Sequence, residues 1–345
     1  MPKPRFHLGI DLGTTNCALA SIPADDPTKT SKVLPLSQYH NENSQGAWET
    51  LPSFLYLPPD STHPAAWIAG RWARTRAAET PGRVIHSAKS WLGHTNVDRR
   101  AAFLPFGSTD LDPSRHLSPV QASAQLLKTL ADAWNQAHPD APLAEQDVAI
   151  TVPASFDPTA QQLTLEAAQR AGFPPETVLL EEPQAAFYAW QETNLSAATL
   201  SRHGSPFIAG KTNHVLVIDL GGGTTDFSLF AIDVNAEQTP ARLKRIAVSE
   251  HLLLGGDNFD LALAHHLESQ LLPGGGNLPS TSFAQLLSRC REIKEEALGS
   301  ATGTAEDPIA ARVWPVAVAR PGATLLSGTL RGNLSGADLL RLLIE

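Results

Sequence analysis

The apolar positions of this chain fall in short runs that end at glycine, proline or aspartate, and the runs predict strands alternating with helices. His7 to Ile22 (HLGIDLGTTNCALASI) carries two apolar runs about a Gly-Thr turn, which reads as a β-hairpin over residues 6–22. Val148 to Val152 (VAITV) is a buried strand stopped by Pro153, and Asp157-Pro158 then offers an N-cap and a proline at the first helical position. Ala160, Leu163, Ala167 and Ala171 recur at steps of three and four, a helical stripe that Gly172 closes. Leu126, Leu127, Leu130 and Trp134 mark a second amphipathic helix within residues 116–138. A shorter helix follows Trp67 and ends at Pro81-Gly82, while residues 23–64, rich in proline and serine, read as loops. Val178 to Leu180 is a strand, and a helix starts at Pro183. Residues 193–213 read as a polar, irregular crossover. Beyond them the pattern gives a hairpin over Val215 to Ile232, then Gly255 to Asp260 and a helix to about Leu272, and a helix over Phe283 to Leu298. The final 45 residues read as strands and a short terminal helix. The alternation is that of an α/β protein.

One phrase occurs twice. Ile10-Asp11-Leu12-Gly13-Thr14-Thr15 falls on Ile218-Asp219-Leu220, a glycine run, and Thr224-Thr225. Each copy is a strand, a tight turn sized for a phosphate, and a returning strand. Glycine lets backbone N–H groups turn toward an anion with no Cβ in the way. Threonine adds a hydroxyl donor, and an aspartate at a strand end can hold Mg²⁺ through its water shell. Gly221, Gly222 and Gly223 together cost about 0.5–1 kcal/mol each in backbone entropy against alanine, more than an ordinary hairpin needs. That cost points to a backbone that must approach a ligand. No Walker P-loop (GxxxxGK[ST]) occurs, and no GxGxxG opens a helix after a strand.

Composition narrows the field. The chain has 345 residues, enough for two domains, and a net charge of −9. That charge argues against a general nucleic-acid surface, though not against a nucleotide whose charge a metal and backbone amides meet locally. Cys17 and Cys290 stand far apart, so neither a disulfide framework nor a thiolate metal site is indicated, and a reducing, cytoplasmic setting is expected. No run approaches a membrane span. The 12 histidines show no metal-ligand spacing, and no nucleophile elbow is present.

Five further segments follow in order: Ala88 to Gly93 (AKSWLG), Ile150 to Phe156 (ITVPASF), Glu181 to Ala186 (EEPQAA), Leu254 to Asp260 (LGGDNFD) and Cys290 to Leu298 (CREIKEEAL). With the two hairpins they resemble the nucleotide-binding domain of the 70-kDa heat-shock (DnaK-type) chaperone family, within the actin, sugar-kinase and heat-shock ATPase superfamily. The resemblance implies an actin-like ATPase fold, two lobes with a duplicated core around a central nucleotide cleft. Lobe I would be residues 1–208 with an inserted subdomain at about 36–130. Lobe II would be residues 209–345, its first part at about 209–254 and its second at about 255–345.

The resemblance also implies roles. Gly13, Thr14, Thr15, Gly221, Gly222, Gly223, Thr224 and Thr225 would meet the phosphates of ATP or ADP, with Gly255 and Gly256 near them. Asp11 and Asp219 would hold Mg²⁺ through water. Lys89 would position the attacking water, Glu182 and Asp226 would order water or metal near the γ-phosphate, and Lys294 would meet the base or ribose. Pro153 matches a position that links lobe movement to nucleotide state. Peptide clients, a J-domain co-chaperone and a nucleotide exchange factor are the implied partners; nucleic acid and membrane are not. There are departures: Gln161 stands at a usual arginine, Glu181 at a usual asparagine, Gln184 at a usual threonine, and Glu295 at an arginine beside Lys294.

The family's later glycine-rich adenosine segment has no match here, which leads us to expect a second lobe that is incomplete in this chain, a fragment of a longer protein rather than a natural short product. Two other functions stay open on sequence alone. One is a small-molecule kinase of the same superfamily; the other is a non-catalytic nucleotide-binding or scaffold module.

Overall fold

In the computed structural model of the chain, the first apolar run becomes the strand Phe6–Leu12, paired antiparallel with Asn16–Pro23. The structure describes residues 3–26, 30–59, 67–194, 207–208, 210–234, 240–249, 252, 254–299, 309–319 and 328–344. Asp147–Val152 lies parallel to Phe6–Leu12, and Val178–Glu181 lies parallel to Asp147–Val152. Lys32–Val33 and Leu51–Pro52 extend the sheet from the Asn16–Pro23 side. Side chains alternate across a strand, so Leu8, Ile10 and Leu12 enter one core while Asp11 stays at the rim.

Two helices cover that core. Pro119–Ala137 begins with a capping box: Ser118 accepts from the Gln121 amide, and the Gln121 side chain accepts from the Ser118 amide. Its stripe Leu126, Leu127, Leu130 and Trp134 is buried, and the Trp134 indole donates to the Ala141 carbonyl (2.8 Å). Pro158–Arg170 is capped by Asp157, which accepts from the Ala160 amide (2.6 Å). Gly172 then takes φ 85°, a left-handed conformation that suits glycine. Both helices follow the pattern read from the sequence.

The stretch read as loops differs. Residues 36–56 hold the hairpin Leu36–Asn41 with Ser44–Trp48, and short strands Leu51–Pro52 and Phe54–Tyr56. The signal is hidden because a polar residue takes a core position: Gln38 is buried, and its amide donates to the Thr50 carbonyl (2.8 Å).

A second sheet holds Thr212–Leu220, Thr225–Val234 and Pro240–Val248 in that order. Val215 and Val217 pack toward Phe187 and Ile232 from one face, while Leu216, Ile218 and Leu220 on the other face are 52–76% exposed. A separate core joins the helices Gly256–Leu271 and Ser280–Gly299 with the strand pair Val313–Ala319 and Thr329–Ser335, closed by Gly336–Ile344. The helix Arg71–Glu79 packs against Ser280–Gly299 of this unit, and Arg74 bonds Glu295 (2.6 Å). Most of the polar crossover read at 193–213 lies outside the described residues.

Candidate functional site

The two hairpins meet at their turns, and their registers refine the repeat. Leu12 pairs with Cys17, and Leu220 pairs with Thr225, so both loops are four residues long. Gly13-Thr14-Thr15-Asn16 therefore matches Gly221-Gly222-Gly223-Thr224 position by position. The threonines read as equivalent from the sequence sit two positions apart: Thr14 and Thr15 take the places of Gly222 and Gly223. The first glycine of each loop has the same job. A Cβ on Gly13 would overlap the Asn16 carbonyl, and one on Gly221 would crowd the Thr224 carbonyl (3.1 Å).

Thr15 and Gly222 explain why one loop carries threonine and the other glycine. A side chain at Gly222 would overlap the Thr15 hydroxyl, so the loops face each other without room for two side chains. Thr15 Oγ1 is buried and has no hydrogen-bond partner among the described residues. An orphaned hydroxyl between two glycine-bearing loops is the donor that an anion seated there would satisfy.

Between the hairpins lies a cavity of about 850 Å³. Of the residues singled out from the sequence, Asp11, Gly13, Thr14, Thr15, Lys89, Glu182, Asp219, Gly221, Gly222, Gly223 and Thr224 line it, together with Pro153. These residues come from positions up to 213 apart in sequence, brought together by the two sheets.

Lys89 reaches the cavity through an unusual turn. The strand Val84–His86 hands over to the helix Ala88–Gly93 through Ser87, whose φ of 54° is left-handed. For a residue with a Cβ that conformation costs about 1–2 kcal/mol. Lys89 is buried and pairs with Glu182, the first residue of the helix Glu182–Asn194. Lys89 is the single Lys or Arg among the lining residues, against the carboxylates Asp11, Glu182 and Asp219.

That imbalance shows in the acids. Burial pushes the Glu182 carboxyl up despite the pull of Lys89, and Asp11 and Asp219 push it further. Asp219 is raised by burial first, then by Asp226 and Asp11. Asp226 faces Asp219 directly across the hairpin. Asp11 accepts from the Thr151 hydroxyl (3.0 Å), a partner the sequence reading did not pick out, although Thr151 stands inside its ITVPASF segment. The excess of carboxylate oxygen suits a hard cation such as Mg²⁺. Among the described residues no three His, Cys, Asp or Glu side chains are grouped for direct ligation.

Five singled-out residues stand behind the cavity rather than on its wall. Thr225 is buried, and its hydroxyl donates to the Leu254 carbonyl (2.6 Å). Asp226 is buried one residue further along the strand. Gly255 and Gly256 carry no open amide: Gly255 donates to Asn258 Oδ1 (2.9 Å) and Gly256 to the Gly221 carbonyl (3.1 Å). Asp257 donates to the Gly222 carbonyl (2.7 Å), so the N-terminus of the helix Gly256–Leu271 is docked on the back of the glycine loop. Lys294 donates to the Gly256 carbonyl (2.7 Å) and pairs with the fully buried Asp260 (2.6 Å). Ser53 supports the first loop in the same way, donating to the Gly13 carbonyl (2.6 Å). Nothing in the local sequence marks Ser53 for this role, because its partner lies 40 residues away.

Comparison with known proteins agrees in extent with the site. A family model described as Hsp70 protein matches residues 7–304. The chaperone protein HscA of Proteus mirabilis is 31% identical over 271 residues, covering 75% of this chain and 37% of the relative. An HscA homologue of Burkholderia multivorans is 31% identical over 316 residues, 88% of this chain and 43% of the relative. A Shewanella denitrificans homologue is 28% identical over 311 residues. The chain thus spans about two-fifths of the length of these relatives.

Proposed function

The chain belongs to the Hsp70 protein family, and we propose that its cavity binds Mg-ATP and hydrolyses it to ADP and phosphate. The matched segment corresponds to the nucleotide-binding part of an Hsp70-type chaperone. The observation that carries the proposal is the pairing of the two loops across one cavity, with the orphaned Thr15 hydroxyl between them.

On this reading the phosphates lie between Gly13-Thr14-Thr15 and Gly221 to Thr224. Asp11 and Asp219 are the residues that would hold Mg²⁺, through its waters; the ion supplies positive charge that the wall lacks. Lys89 presents its ammonium to the γ-phosphoryl group and to the attacking water. Glu182 keeps that ammonium in place and accepts from the water. The water oxygen bonds to the γ-phosphorus, the bond to the β–γ bridging oxygen breaks, one of the water's protons stays on the inorganic phosphate, and the other passes by way of Glu182 to solvent. The protein contributes position and charge with little covalent chemistry. Thr225, Asp226, Gly255 and Gly256 act behind the wall, as supports for the glycine loop.

We assign lobe I to residues 1–208 and lobe II to residues 209–345, with the cavity between them. Nucleotide state would then set lobe closure, for a peptide-binding segment, a J-domain co-chaperone and an exchange factor to read. Lys89→Ala tests the assignment. Single-turnover hydrolysis should fall by at least about a hundredfold, while Mg-ATP affinity stays within about threefold, because Lys89 acts on the reacting group. Undiminished turnover in that variant, or turnover that requires an added sugar or acid acceptor, would remove the proposal.

A further inference from the structure

Arg99 lies in the loop after the Lys89 helix and is not a member of the cavity wall. Its guanidinium is spent on two partners. Nε donates to the His94 carbonyl (3.1 Å), at the C-terminal end of the helix Ala88–Gly93. Nη1 and Nη2 form a two-pronged pair with Asp157 (3.0 and 2.8 Å). The Arg99 side chain is only 10% exposed. Asp157 in turn is the N-cap of Pro158–Arg170, accepting from the Ala160 amide.

Two walls of the cavity are therefore joined at one residue. Gly93 and His94 come from the Lys89 helix, while Pro153, Ser155 and Phe156 come from the turn that ends at Asp157. The walls also touch directly: a Cβ on Gly93 would stand 3.2 Å from the Phe156 ring. Gln161 fixes the far side of that turn by donating to the Phe156 carbonyl (3.2 Å).

A helix of six residues holds itself poorly, because one or two turns cannot repay the cost of nucleation. Ala88 and Leu92 seat its inner face in the core, and its two ends carry further fixings. The N-terminal end is set by the left-handed Ser87. The C-terminal end is set by Arg99, which offers a cation to terminal carbonyls and anchors to a neighbouring helix. We propose that Arg99 is a positioning residue for Lys89: by clamping the end of the Lys89 helix to Asp157, it holds the Lys89 ammonium against Glu182 at the phosphate end of the cavity. Arg99 keeps Asp157 ionised down to about 2, so the clamp is present throughout the working range of pH. The catalytic consequence rests on the ATPase reading above; the effect on Lys89 itself does not.

The full chain is labelled with an amine-reactive ester, and modification at Lys89 is followed by mass spectrometry against Lys128, whose side chain is 55% exposed. Arg99→Gln breaks the clamp, and Asp157→Asn breaks it while keeping an acceptor for the helix cap. Each should raise the Lys89 labelling rate about tenfold and lower single-turnover hydrolysis about tenfold, with Mg-ATP affinity within about twofold, the signature of lost positioning. The double variant should be no worse than either single one. Arg100→Gln removes the neighbouring contact to Glu166 and should leave Lys89 at its wild-type rate. Wild-type labelling of Lys89 in folded Arg99→Gln and Asp157→Asn overturns the proposal, even if both melt earlier. Should Arg99→Gln fail to fold, Asp157→Asn decides alone. If the wild-type chain hydrolyses no ATP, the proposed function falls, while the labelling still decides the role of Arg99.

Discussion

Lys89 and Glu182 form one buried pair whose balance is set by the acids around it. Burial raises the Glu182 carboxyl, and its attraction to Lys89 does not offset that. A raised carboxyl contributes stability that is complete below the unfolded pKa and is lost as pH rises through the folded one. Asp157 has the opposite sign. Held at about 2 by Arg99, it contributes stability that is present above the ordinary aspartate range and lost as pH falls toward about 2. On the proposed function the same shift at Glu182 would also govern the chemistry. The ionised form that holds Lys89 disappears at a higher pH than an exposed glutamate's value of about 4.3. Hydrolysis should therefore show an acid limb above the ordinary carboxylate range, read from single-turnover rates across pH 5–8. Glu182→Gln should lower the plateau and abolish that limb. A limb that persists unchanged in the variant would assign it to another group.

Among elements, the contact that matters most is the seating of the helix Gly256–Leu271 on the glycine loop. The Gly221 and Gly222 carbonyls accept from the first amides of that helix, and Gly255 fits beneath them. A Cβ at Gly255 would stand 2.5 Å from the Gly222 carbonyl oxygen and 2.7 Å from that of Gly221, both backbone atoms that cannot swing aside. Gly255→Ala should thus displace the loop, costing about 1–3 kcal/mol of stability and weakening nucleotide affinity at least about tenfold. A variant with unchanged melting temperature and affinity would show that the docking is not needed. The legibility of the sequence divides along the same line. Periodicity and caps were enough for Asp147–Val152, for Pro158–Arg170 with its Asp157 cap, and for both hairpins, because those signals lie within a few residues. The hairpin at 36–48 escaped because Gln38 fills a core position. The loop-facing side chains were legible from the repeat and the family resemblance. The supports were not: Ser53, Arg99 and the docked helix act through partners that only tertiary structure brings near. Lys294 is the sharpest case, since its motif suggests a ligand contact and its ammonium is taken by Asp260 and the Gly256 carbonyl.

At the scale of the molecule, two sheets each present a four-residue loop to one cavity, and the helices Arg71–Glu79 and Ser280–Gly299 pack together, with Arg74 bonded to Glu295. The two halves differ in their surroundings. Phe6–Leu12 is flanked on both sides by strands, with its core face covered. Thr212–Leu220 is paired on one side among the described residues, and Leu216, Ile218 and Leu220 stand exposed. The end of the cavity assigned above to phosphate is nevertheless built from both halves, so on the proposed function affinity for phosphate and its cation should be present in this chain. Isothermal titration of the full chain with ATP, with and without Mg²⁺, tests this most directly. The account expects one-site binding with Mg-ATP and at least about tenfold weaker binding when the metal is chelated, because Asp11, Glu182 and Asp219 then face the phosphates unscreened. No binding heat under either condition at several temperatures, or equal affinity with and without the metal, would contradict it.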